Sequence, residues 1–288
     1  MNPHDMAADL AARFRLGRRP RSWSGDCPAC SYPRAFSVRV GKGSRLLLFC
    51  ANGCTREVLD DAAQHVLQGA WTPPPRSAAA EEANARAAKQ AAAERLWAGS
   101  KPCTATPAAL YLAGRGIGHA WASAALRFHA DCPHPEGTRL TAMVALVQNV
   151  DGHHVGVHRS YLTLAGARAA AEPGKASLGP VWGGAVRLDP EAPELVIAEG
   201  IETAASAGLL LCLPAWAAIS AGNLASGVLL PSGVRRVVIA VDPDAPGERA
   251  AHDAAKRWQR EGRTVRFARP DGEGDFNDLL LARRASHA

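Results

Sequence analysis

The spacing of apolar residues changes character several times along the chain. From Asp5 to Phe14 it has the helical period of a short amphipathic helix. Phe36-Ser-Val-Arg-Val40 and Arg45-Leu-Leu-Leu-Phe49 then read as two strands joined by a turn at Gly41-Lys-Gly-Ser44. Thr72-Pro-Pro-Pro-Arg-Ser77 cannot continue a helix, because three consecutive prolines lack amide donors. Ala78 to Trp97 is rich in good helix formers, with Glu82 and Arg86 placed as an i,i+4 pair. It shows little apolar face and reads as a spacer helix. Ala142-Met-Val-Ala-Leu-Val-Gln148 and His154-Val-Gly-Val-His-Arg-Ser-Tyr161 flank Asp151-Gly152, a strong hairpin signal. Lys175 is expected in a Gly-containing loop before Leu178-Gly-Pro180.

Beyond Pro193 strand and helix alternate. Strands are expected at Leu195–Ala198, Trp216–Ile219, Arg236–Val241 and Thr264–Ala268. Helices are expected at Glu202–Leu211, Glu248–Glu261 and Phe276–Arg283. Such alternation implies a parallel sheet with right-handed crossovers, whose working groups collect beyond the C-terminal strand ends. The expected organisation is a small first domain over 1–70, a Pro-rich and Ala-rich helical linker over 71–101, a mixed α+β subdomain over 102–190, and an α/β domain over 191–288.

Composition narrows the class. Of 288 residues, 47% are hydrophobic and 21% charged, a globular balance that excludes a chain disordered throughout. No apolar run reaches the ~18 residues of a membrane span, and the N-terminus lacks the apolar core of a signal peptide. A cytoplasmic protein is expected, in a reducing compartment where close cysteine pairs point to metal rather than disulfides. The net charge is +6, but Arg13 to Arg56 holds ten basic residues and one acid, Asp26. That cluster suits a polyanion, most simply nucleic acid.

Four of the seven cysteines form two close pairs, Cys27-Pro-Ala-Cys30 and Cys50-Ala-Asn-Gly-Cys54. Two thiolate pairs on neighbouring turns supply the four soft ligands of a tetrahedral, structural Zn²⁺ site. A domain with so small a core needs that staple. Arg34, Arg39, Lys42 and Arg45, with Arg56, surround it and are expected to hold a nucleic-acid strand. Cys103, Cys132 and Cys212 have no partner at ligand spacing and read as core or surface thiols. His153, His154 and His158 read as packing or solvent-facing groups.

A second constellation is acidic. Glu199 follows the first strand of the last block, Asp242 and Asp244 follow the third, and Asp275 follows the fourth after a short loop. In a parallel sheet all four point into one crevice. Close carboxylates repel, and a hard divalent cation, Mg²⁺ or Mn²⁺, resolves that repulsion. Asp275 is also placed to cap the last helix.

These residues resemble the Toprim domain of bacterial primases, topoisomerases and some nucleases, whose signature is Glu-Gly after the first strand and Asp-x-Asp after the third. Here these are Glu199-Gly200 and Asp242-Pro-Asp244. The longer strings "AEGIETA", "VDPDAPGERAA", "DFNDLL", "YLAGRGI", "LRFHADCPH", "VGVHRSYL" and "GKASLGPVWGGAVRL" are similar to primases of phages and mobile elements. The resemblance implies a Toprim-type parallel sheet preceded by a basic polymerase subdomain and the zinc ribbon. It implies template-directed RNA primer synthesis on single-stranded DNA from nucleoside triphosphates, by metal-dependent nucleotidyl transfer, in replication of a phage, plasmid or integrated element. Glu199, Asp242, Asp244 and Asp275 would hold Mg²⁺ or Mn²⁺, and Lys175 and Arg159 would contact triphosphate or template. Two departures stand out: all four zinc ligands are cysteines where relatives often use a histidine, and Asn277 occupies a position where relatives tend to have a second acid. No G-x-x-x-x-G-K-[ST] is present, so a replicative helicase would be a separate protein. The alternatives are a Toprim-type nuclease using the same acids and a non-catalytic nucleic-acid-binding helicase accessory. A topoisomerase would need a nucleophilic Tyr and a strand-passing gate, for which there is little length.

Overall fold

The computed structural model describes residues 3–19, 22–41, 46–50, 54–67, 76–272 and 274–286, and for 76–82 the backbone alone. The chain divides into two compact units, Met1–Ala87 and Ala88–Ala288.

In the first unit, helix α1 (Pro3–Arg13) precedes an antiparallel sheet of β1 (Gly17–Arg19), β2 (Ser22–Gly25), β3 (Phe36–Val40) and β4 (Leu46–Cys50), in that order. Helix α2 (Arg56–Leu67) follows. Alternation in the strands puts Val38 opposite Leu48, and these two with Leu10 and Leu59 form the buried core. The two expected strands are found as β3 and β4, while the turn expected between them falls on residues 42–45, Lys42 and Arg45 included, which lie outside the described residues. Helix α3 (Arg76–Ala98) follows the Pro-rich stretch, whose residues 72–75 lie outside the described residues. The pair expected of Glu82 and Arg86 involves an undescribed Glu82 side chain. Arg86 itself places its guanidinium 5.7 Å from the Phe49 ring centroid.

The end of α3 is more than a spacer. Ala93 and Leu96 are buried in the second unit against Val144, Val157 and Tyr161. The guanidinium of Arg127 lies 4.4 Å from the Trp97 ring centroid. Among the described side chains of α3 the buried positions, Ala93 and Leu96, fall in the last two turns, so a periodicity taken over the whole Ala-rich helix averages them away.

The second unit holds two sheets. The first, in the order β5 (Lys101–Pro102), β6 (Leu126–Pro133), β7 (Arg139–Gln148), β8 (His154–Leu162) and β9 (Lys175–Leu178), is antiparallel. Helix α4 (Pro107–Gly114) lies between β5 and β6 in sequence. The hairpin expected at Asp151-Gly152 is the β7–β8 connection, with Gln148 paired to His154. Lys175 opens β9 and pairs with Ser160, because that segment completes the sheet edge.

The second sheet has the order β10 (Val186–Arg187), β12 (Ala215–Ala217), β11 (Glu194–Ala198), β13 (Arg236–Ala240) and β14 (Thr264–Ala268). The last four are mutually parallel, as expected. β10 adds an antiparallel edge. A two-residue strand carries too few alternations to be read from sequence. Helices α5 (Ile201–Leu211), α6 (Ala221–Ser226), α7 (Ala245–Arg260) and α8 (Phe276–Ala285) cover the faces. Val196, Ala198, Val238 and Ala240 bury with Ala204 of α5 and Leu280 of α8, in a core that also takes Met143 and Val147 of the first sheet. Leu195, Ile197, Val237 and Ile239 bury with Ala251 and Trp258 of α7. Burial on both faces is why these strands read as continuous apolar runs. No described helix is long and apolar enough to cross a membrane.

Trp258 is fully buried and seals the α7 side of this sheet. Trp258→Ala is expected to destabilise the second unit by about 3–5 kcal/mol, measured by denaturant unfolding; a loss under about 1 kcal/mol would show that this face does not carry the sheet.

Candidate active site

The parallel register sets the geometry of the acidic cluster. Ala198 of β11 is level with Ala240 of β13, which is level with Ala268 of β14. Glu199 and Asp242 therefore leave neighbouring strands at one edge. Asp244 and Asp275 sit at the same edge as the N-caps of α7 and α8. Asp244 Oδ1 accepts the Gly247 amide at 2.6 Å. Asp275 Oδ1 accepts the amides of Asn277 and Asp278 at 2.8 and 3.0 Å, and the Asp278 carboxylate returns the bond to the Asp275 amide, completing a capping box. Asp242 Oδ1 accepts the Thr203 hydroxyl at 3.0 Å. In each of these three acids one oxygen is spent on orientation, and Oδ2 has no partner among the described residues. Gly247 is required here: a Cβ would lie 2.7 Å from the Asp242 carbonyl oxygen.

Electrostatics tie the four acids into one site. Burial raises the pKa of Glu199, and the charges of Asp242 and Asp244 raise it further. Burial likewise raises Asp242, with Asp275 and Asp244 adding to it. Lys175 opposes both shifts, so its ammonium lies within their field. Among the described residues the four cysteines are the one group of three or more candidate ligands close enough to share an ion, and the acids form no such group. A wider set suits Mg²⁺, which keeps several waters and takes one or two carboxylates plus substrate phosphates.

Arg159 and Lys175, expected together at the site, are placed differently. Arg159 is buried, and its guanidinium donates to the carbonyls of Ala176, Pro133 and Ser177 at 3.2, 2.7 and 3.2 Å. It is committed to holding β8, β9 and the end of β6 together. Lys175 keeps a third of its side chain exposed and donates to Glu202 Oε2 at 3.0 Å. Glu202, which sequence reasoning passed over, is buried in the first turn of α5. Its Oε1 accepts the Tyr111 hydroxyl at 2.6 Å and Arg168 Nη2 at 3.3 Å. Burial opposes its ionisation, yet Lys175 and Tyr111 hold its carboxyl down at about 2. The signal available was an acid in the first helical turn three residues after Glu199; its partners come from a helix, a loop and a strand far apart in sequence.

Asn277 is buried. Its Nδ2 donates to the Arg115 carbonyl at 2.6 Å and Ser206 Oγ at 3.0 Å, and its Oδ1 accepts from Arg115 at 3.2 Å. These buried partners use both the donor and the acceptor of its side chain, which explains an amide at this position. His158 is buried beside Ser177 Oγ, and burial with Lys175 and Arg159 pushes its pKa down to about 4, so it packs as a neutral ring. Cys103 and Cys132 are buried and Cys212 is exposed.

In the first unit Cys27 and Cys30 lie on the turn after β2, Cys50 ends β4, and Cys54 precedes α2. The four Sγ atoms lie within 4.8 Å of one another, with Cys27–Cys54 and Cys30–Cys50 both at 3.8 Å. A tetrahedron with Zn–S spokes of ~2.3 Å has edges of ~3.8 Å, so the donors fit the ion in number, chemistry and spacing. Arg39 is exposed on β3. The Arg34 amide donates to Asp26 at 2.9 Å. Arg56 is engaged with Asp60 at 2.6 Å and the Leu46 carbonyl at 3.3 Å.

Comparison with known proteins gives two family matches. Residues 194–286 match the Toprim domain, and residues 87–188 match a domain of unknown function. No curated protein matches the chain. Among solved structures, the Aquifex aeolicus primase (zinc-binding and RNA polymerase domains) aligns at 13% identity and TM-score 0.49, covering 99% of this chain and 83% of that one. The primase fragment of the bacteriophage T7 primase-helicase aligns at 16% and 0.43, covering 61% and 70%. The E. coli primase catalytic core aligns at 18% and 0.42, covering 62% and 69%. Residues 194–286 are the part of the chain that matches the Toprim domain, and Glu199, Asp242, Asp244 and Asp275 lie within it at the C-terminal edge of the parallel strands.

Two outcomes follow from this geometry. Cys27→Ser is expected to abolish stoichiometric zinc in the purified protein, measured by metal analysis; full retention would contradict four-thiolate ligation. Glu202 carries a pKa lowered from its ordinary 4.5 to about 2, so its ionisation stabilises the fold above pH 4.5, and that contribution disappears as pH falls toward 2. The stability gap between the protein and Glu202→Gln should therefore close on acidification across that window, followed by thermal unfolding; a gap that widens would reverse the assignment.

Proposed function

We propose that the protein is a DNA primase that makes short RNA primers on single-stranded DNA by metal-dependent nucleotidyl transfer, in replication of a phage, plasmid or integrated element. The observation that carries the reading is the set of acids at the C-terminal edge of the parallel sheet, each of the three aspartates holding one oxygen in a fixed local bond while the other has no partner among the described residues. The zinc-ribbon unit and its basic residues support it.

Glu199 and Asp242, with Asp244 and Asp275 beside them, would hold Mg²⁺ or Mn²⁺. When bound, the ion would neutralise charge on the triphosphate and on the oxygens that attack and leave. The chain's own work is positioning. Thr203 fixes Asp242 and the two helix caps fix Asp244 and Asp275, so the carboxylates reach the reaction already oriented. No nucleophilic side chain is needed, because the 3′-hydroxyl of the growing strand attacks. Lys175 stands beside the acids to receive nucleotide phosphate. Cys27, Cys30, Cys50 and Cys54 would hold a structural Zn²⁺, and Arg34 and Arg39, with Lys42 and Arg45, would guide the template strand. The nucleoside triphosphates and the template are the partners this chemistry requires, and a replicative helicase would supply the unwound strand.

Asp242→Asn is expected to lower primer synthesis from labelled nucleotides on single-stranded DNA by about a hundredfold or more, with the fold retained. Synthesis at the normal rate would overturn the assignment. Template cleavage without synthesis would replace polymerisation with nuclease chemistry.

A further inference from the structure

Two adjacent residues in the first turn of α5 look in different directions. Thr203 orients Asp242, one of the acids. Glu202 turns toward the first sheet, where its buried carboxylate meets two cations and a phenol from three separate segments. Tyr111 comes from α4, Arg168 from the loop after β8, and Lys175 from the start of β9. Arg168 also donates from Nε to the Tyr111 hydroxyl at 3.2 Å, so its guanidinium is gripped at two points.

The arrangement costs more than a purely structural role requires. A buried carboxylate needs one cation for neutrality, and this one has two. The excess charge points outward: half of the Arg168 side chain and a third of that of Lys175 are exposed, while the Glu202 side chain is 7% exposed. Lys175 has spent one of its three N–H donors on Glu202, and Arg168 Nη1 has no partner among the described residues. Lys175 is also the cation whose field reaches Glu199 and Asp242. A fixed pair of cations with outward donors, next to carboxylates suited to a divalent cation, complements a polyphosphate chain.

We infer that Glu202 is a positioning residue: it holds Lys175 and Arg168 as a rigid two-cation clamp for the phosphates of the incoming nucleotide, at the mouth of the acidic edge. The inference rests on the primase reading for the identity of that nucleotide. It replaces Arg159, which is spent on backbone carbonyls, with Arg168 as the partner of Lys175.

Neutralising Glu202 separates positioning from bulk electrostatics. If Glu202 acted only through its charge, Glu202→Gln would leave two uncompensated cations and tighten phosphate binding. A clamp that loses its anchor binds more weakly. The test is calorimetric titration of the full chain with ATP and Mg²⁺, and with AMP as the probe lacking the phosphate chain. Glu202→Gln is expected to weaken ATP binding about tenfold while changing AMP binding little. Arg168→Ala, at an exposed position that does not threaten folding, is expected to do the same, and Arg168→Lys to recover part of the loss. Unchanged or tighter ATP binding in folded Glu202→Gln, or unchanged binding in Arg168→Ala, would overturn the clamp while leaving primer synthesis by the wild type untouched. A wild type that makes no primers and binds no ATP would remove both the clamp and the reading it rests on.

Discussion

The parallel pairing of β11 with β13 is the constraint from which the rest of the site follows. Strands running the same way in register deliver their ends to a common edge, so Glu199 and Asp242 meet although 43 positions separate their numbers. That meeting is unfavourable by itself, since burial and mutual repulsion both raise the two carboxyls. The fold tolerates it because the same sheet is buried on both faces by α5 and α8 on one side and α6 and α7 on the other. An apolar interior of that extent offsets a local electrostatic cost of the kind that marks functional sites.

The acids serve the fold and the site at once. Asp244 and Asp275 start α7 and α8, so one covering helix on each face of the sheet begins at a group a cation would use. The cap fixes one oxygen and thereby aims the other. Mobile surface carboxylates would have to be ordered on binding, at an entropic cost that these have already met during folding. The first turn of α5 repeats the device with Thr203 and Glu202, one residue serving the acids and the next serving the cations.

Much of this was legible in the sequence because the relevant signals are local. The strands of the parallel sheet are short apolar runs, Glu199 and the Asp242/Asp244 pair follow theirs closely and Asp275 follows after a short loop, so the strand edge could be located from order alone. The cysteine pairs were equally plain. What escaped reading depended on partners far along the chain. Arg159 and Arg168 look alike in sequence; only the β8–β9 pairing shows that one is buried among carbonyls and the other is exposed. Glu202 gave only the weak signal of an acid in a first helical turn, because its partners lie at Tyr111, Arg168 and Lys175. Helix α7 begins at Ala245 rather than Glu248 because the Asp244 cap and Pro246 extend it backward through Gly247. The last turns of α3 pack in the second unit, which an average over an Ala-rich helix conceals.

The central claim is that carboxylates from separate strand ends act together on a divalent cation at the sheet edge. The most direct measurement is electron paramagnetic resonance of Mn²⁺ titrated into the full chain with a nucleoside triphosphate present. The account predicts loss of free-ion signal to a bound population that Mg²⁺ displaces and that Glu199→Gln removes. A free-ion signal no lower than that of the nucleotide alone, or a bound signal indifferent to Glu199, would contradict it.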